Sequence, residues 1–173
     1  MVATHEGESF PQWARDLTKD SPGVIDVDRF GGSIHDRKSL SFIGEGYIDD
    51  KRFSFRFRHF KELKIVRGWV HFSDEVEGPL PGYVDGGCVS AIMDDLFGNV
   101  VWPEVEAAAT VNLNIDHHHQ VPLGSLVQVE ATIDRMEGRK IFVKGEISNP
   151  DDGTIFVEAR ALFLKISQDA AKK

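Results

Sequence analysis

The sequence predicts an α+β domain in which a curled antiparallel sheet wraps around one long central helix, preceded by an N-terminal arm. Three observations predict it. Apolar residues alternate with polar ones in six segments; one long segment among them carries them at helical spacing; and that segment falls after the second strand. One helix cannot cover both faces of a strongly curved sheet, so remaining edges or faces are expected to be buried by a second copy of the chain.

Residues 1–40 read as the arm. SFPQWARDLTKD spaces Phe10, Trp13 and Leu17 for a short amphipathic helix, ended by Ser-Pro-Gly at 21–23. The main domain is expected over 41–169, with a tail at 170–173. RFSFRFRHF alternates Phe53, Phe55 and Phe57 with polar residues, which reads as a strand with one buried face; LKIVRGWVHF follows as its partner. Then PGYVDGGCVSAIMDD opens as a glycine-rich turn. From there Val89, Ile92, Met93, Leu96, Phe97, Val100 and Val101 line one broad helical face, stopped by Pro103. TVNLNID, SLVQVEATID, KIFVKGEIS and TIFVEARALFLKI complete the sheet, the last two separated by the turn NPDDG.

The chain has 173 residues and a net charge of −8, from 20 basic and 28 acidic side chains. That balance argues against nucleic acid or an anionic membrane as the main partner. A single cysteine, Cys88, excludes an internal disulfide and suits a reducing compartment. No run reaches the length of a membrane span. The expected location is cytoplasmic, or mitochondrial if a leader has been removed.

The candidate chemistry lies around the central helix. A helix N-terminus offers unpaired N–H groups and a positive dipole end, and Gly86 and Gly87 permit close approach of a substrate carbonyl. A tight turn with nothing bound explains the same glycines. Asp94 and Asp95 stand about 100° apart on the helix, and periodicity alone does not choose between them. Asp85 suits a helix N-cap. If it points into a pocket instead, it pairs with Asp94 for proton transfer. His117 and His119 share a strand face, yet no Cys or Glu at ligand spacing joins them, so no metal is expected. Cys88 reads as a small packed residue.

GPLPGYVDGGCVSAIMDDLFG, followed by TVNLNIDHHHQVPLGSLVQVEATIDRMEGRKIFVKGEI and a strand ending ARALFLKI, resembles hotdog-fold acyl-CoA thioesterases. Within them it is most similar to the branch of phenylacetate-pathway and mitochondrial long-chain enzymes. The resemblance spans roughly residues 52–166 and leaves the arm uncovered. It implies a dimer-interface site, in dimers that often pair into tetramers, and hydrolysis of an acyl thioester. No cofactor is implied beyond the coenzyme A of the substrate. It assigns Asp94 as base or nucleophile and a Gly86 or Gly87 amide as oxyanion donor. Thr110, contributed by the partner subunit, positions the water, and Arg139 and Lys140 meet coenzyme A phosphates. His118, placed on the Thr110 row by simple alternation, is expected near the ligand. One departure stands out: Asp85 occupies the position before the glycine pair where this branch usually has histidine. That leaves open a hydratase, dehydratase or isomerase reaction on an acyl or polyketide-derived substrate, or a non-catalytic acyl-binding dimer.

Overall fold

The structure, a computed structural model, describes residues 12, 16, 24–26, 52–105 and 107–166. The expected arm therefore lies largely outside the described residues, as do Phe10, Trp13, Leu17 and the tail. Gln12 and Asp16 are helical, and the Gln12 Nε2 donates to Asp16 Oδ1 at 2.8 Å, one helical turn on.

Among the described residues seven strands form one antiparallel sheet: β1 (Val24–Asp26), β2 (Phe53–Phe60), β3 (Ile65–Phe72), β4 (Ala108–His117), β5 (Leu126–Glu137), β6 (Lys140–Ser148) and β7 (Ile155–Lys165). Their order across the sheet is β1-β2-β3-β5-β6-β7-β4. Helix α1 (Gly86–Val101) enters between β3 and β4 in the chain and packs on the sheet's concave face. This is the expected sequence of two strands, a long helix and four strands, with the three-residue β1 added at one edge.

The helical stripe and the strand alternation meet in one core. Ile92, Met93, Leu96, Phe97, Val100 and Val101 are fully buried, against Phe57, Val70, Val129, Ile141, Ile147 and Val157 of the sheet. A row of small residues lets the helix approach closely: Ala131, Gly145 and Ala159 are register partners across β5, β6 and β7. A Cβ on Gly145 would stand 2.8 Å from Phe97 Cε1 and 2.5 Å from the Glu130 carbonyl oxygen. The Phe97 ring therefore occupies the space that any larger residue at 145 would need.

The C-terminal half of α1 is buried beyond its apolar stripe. A 3-10 turn (Trp102–Glu104) folds the Trp102 indole back over Gly98, where a Cβ would meet ring carbons at 2.7 and 2.8 Å. Asp95 is only 6% exposed, and Asn99 Nδ2 donates to its carbonyl at 2.8 Å and its carboxylate at 3.2 Å. Its place is structural.

Candidate active site

Asp85 is the N-cap of α1. Its Oδ1 accepts from the amides of Gly87 at 2.8 Å and Cys88 at 3.2 Å, and its extended backbone directs the chain into the helix. Of the roles open to it in the sequence, the structure shows this one. The consequence reaches the next residue. The Gly87 amide is already satisfied, so of the two glycines expected to polarise a carbonyl only Gly86 has an N–H without an acceptor among the described residues.

Asp94 lies two turns on, on the exposed side of the helix. Thr110 of β4 donates its hydroxyl to Asp94 Oδ1 at 2.9 Å within the same chain. On the sequence this threonine is expected from a partner subunit; within one chain β4 runs beside α1 and already brings Thr110 to Asp94. Thr110 Oγ1 keeps lone pairs and Asp94 keeps its second oxygen, so one water can donate a hydrogen to each.

A β-bulge decides which histidine faces this site. The β4–β7 register passes from Thr110 opposite Phe163 to Asn112 opposite Leu162 and Leu113 opposite Ala161, leaving Val111 extra. Beyond the bulge the faces swap. Leu113, Ile115 and His117 now point to the helix side, with Ala161, Ala159 and buried Val157 as their partners. His118 turns outward, where its Nε2 lies 2.7 Å from Glu158 Oε2. His118 therefore does not share the Thr110 face, because unbroken alternation was the premise that put it there. His117 does, and its Cε1 is 3.9 Å from the point where a Cβ on Gly86 would stand. Sequence reasoning weighed His117 only as a metal ligand; what turns it to this face is a bulge set by pairing with a strand forty residues on.

Arg139 and Lys140 occupy the β5–β6 turn, closed by Gly138 at φ +58. The Arg139 guanidinium donates through Nε (3.3 Å) and Nη2 (3.1 Å) to the Lys165 carbonyl, which anchors the turn to the end of β7. Ile141, Phe163 and Thr110 are in register, so the turn sits at the Thr110 end of the sheet, two strands and about 10 Å across. Among the described residues no group of three or more His, Cys, Asp or Glu is placed to hold a metal, and no helix is long and apolar enough to cross a membrane.

Residues 81–156, which hold the helix, β4, β5 and β6, match the thioesterase superfamily. Acyl-coenzyme A thioesterase THEM4 of Mus musculus is 39% identical over 109 residues, covering 63% of this chain and 45% of that protein. The chain spans less than half the length of the curated relatives it matches. A solved thioesterase superfamily protein shares 29% identity at a TM-score of 0.58, covering 65% of this chain and 54% of the other. An acyl-CoA hydrolase from Staphylococcus aureus, solved with butyryl coenzyme A and coenzyme A, shares the fold at a TM-score of 0.58 and 13% identity, covering 62% and 66%.

Proposed function

We propose that this chain, whose fold is that of the hotdog thioesterases and whose residues 81–156 match the thioesterase superfamily, hydrolyses acyl-CoA thioesters at sites shared between two copies of itself. The observation that carries the reading is the Thr110–Asp94 hydrogen bond on the open side of the helix. It orients a carboxylate as general base for a water held between the two side chains. Water loses its proton to Asp94 as its oxygen bonds the carbonyl carbon. The oxyanion forms against a Gly86 amide. Collapse breaks the C–S bond, and the leaving thiolate takes the proton back from Asp94.

One chain does not bring these groups together. Gly86 and Asp94 are eight residues apart on α1, about 12 Å along its axis. A carbonyl oxygen at the tip and a water at the acid must be within about 3–4 Å of one carbon. A second copy, related by a two-fold axis, can bring its own tip to this Asp94. Among the described residues β4 is an edge strand, which supports that arrangement. It is ten residues long, has β7 as its neighbour on one side, and leaves Val111 51% exposed beside the Thr110–Asp94 pair. Coenzyme A is then the substrate's handle, with the turn at Arg139 and Lys140 at the Thr110 end available to its phosphates.

The cap geometry of Asp85 favours hydrolysis over hydration or isomerisation, since its carboxylate is committed to two amides and not aimed at a substrate proton. Thiol release from short, long and aromatic acyl-CoAs tests the proposal. Asp94→Asn should lower turnover by about 10²–10⁴-fold and leave the oligomer intact. An Asp94→Asn variant as fast as its parent on every thioester contradicts it.

A further inference from the structure

We propose that His117 is a catalytic residue, its imidazole donating a second hydrogen bond to the thioester carbonyl oxygen received by the Gly86 amide. The inference rests on the thioesterase reading above and deepens it. The starting point is a shortage of donors. A helix tip normally presents several unpaired amides, but Asp85 consumes those of Gly87 and Cys88 and leaves Gly86. An oxyanion held by one amide beside a capping carboxylate is poorly stabilised, and a second donor in a fixed position changes the transition state more than the ground state.

His117 is the side chain in place to supply it. Outside the helix's own first turn, its Cε1, at 3.9 Å, is the atom met within 4 Å of the position a Gly86 Cβ would take, among the described residues. Cε1 is bonded to both ring nitrogens, so each nitrogen lies at most one bond further from that point. The ring is exposed and has no hydrogen-bond partner among the described residues, whereas its neighbour His118 is engaged with Glu158. The backbone that holds it is fixed. His117 pairs with Val157, and the amides of His118 and His119 both donate to the Phe156 carbonyl, at 2.9 and 3.1 Å. An imidazole N–H serves as the donor.

Two measurements test this, one of them independent of turnover. A 2-oxoalkyl-coenzyme A keeps the carbonyl but separates it from sulfur by a methylene, so it binds without being cleaved. By calorimetry His117→Phe should weaken its binding about five- to tenfold, the size of one hydrogen bond, with coenzyme A itself unaffected. His117→Gln, which retains a donor, should recover much of that loss. In thiol release, His117→Phe should lower kcat by about a hundredfold with KM little changed and the melting temperature preserved. Equal ketone affinity in parent and His117→Phe overturns the proposal, as does a Gln variant that loses as much as Phe. A parent that releases no thiol from any acyl-CoA removes the hydrolase reading instead, because the ketone's affinity still decides His117.

Discussion

Replacing Asp85 separates a capping carboxylate from a catalytic one. In Asp85→Ala the amides of Gly87 and Cys88, now bonded at 2.8 and 3.2 Å, lose their acceptor, and the helix dipole loses its anion. The N-cap loss is about 1–2 kcal/mol, which lowers the melting temperature of a chain this size by about 2–8 °C. Asp85→Asn keeps an oxygen in the same place and gives up only the charge at the dipole, about 0.3–1 kcal/mol. Differential scanning fluorimetry at neutral pH should therefore rank parent above Asn and Asn above Ala. Thiol release should rank differently. Asn removes a negative charge from the neighbourhood of the oxyanion, so its turnover should equal or exceed the parent's. An acid or base lost at this position would instead cost about 10²–10⁴-fold. An Asn variant that melts with Ala, or that falls a hundredfold in turnover while folded, refutes the reasoning.

Two further outcomes concern stability. Gly145→Val should cost about 1–3 kcal/mol, read as a lower denaturation midpoint. Its Cβ would press on the Glu130 carbonyl and the Phe97 ring, and Gly145→Val with Phe97→Leu should recover part of the loss. Glu146 is held above the ordinary carboxylate value of 4.5, first by burial and then by Glu130 and Glu158, its register neighbours on either side. Between 4.5 and its raised value the folded chain keeps a proton that the unfolded chain has lost, so this side chain's contribution to stability falls as pH rises through that window. Glu146→Gln should thus raise the melting temperature at neutral pH and show no advantage below the ordinary value. A gain independent of pH would contradict the assignment.

Much of the architecture was legible because it rests on local periodicity. The stripe from Val89 to Val101 and the alternation in Phe55, Phe57 or Val127, Val129, Ala131 each require one buried face, and burial follows. Asp94 and Thr110 were found by the resemblance and meet as a hydrogen-bonded pair. What was not legible depends on contacts between distant segments. Asp95 is buried and bonded by Asn99, and the Trp102 ring packs over Gly98, neither of which a helical wheel contains. His117 and His118 exchange faces because the β4–β7 register slips at Val111, a property of two strands and not of one. The satisfaction of Gly87 by Asp85 is local, and the N-cap rule did anticipate it as one of two roles; composition alone could not choose between them.

The claim that each site is built from the helix tip of one copy and the Asp94 of another is tested most directly by complementation. Asp94→Asn removes the base. Gly86→Val fills the tip, where a Cβ meets His117 Cε1 at an ordinary contact distance of 3.9 Å. Each variant alone should be inactive. Co-expressed in equal amounts with different tags, they should form mixed dimers with one intact site each. Thiol release should return to about a quarter of the parent's, as expected for random two-fold pairing. Purified mixed dimers that stay as inactive as their components would contradict the shared site.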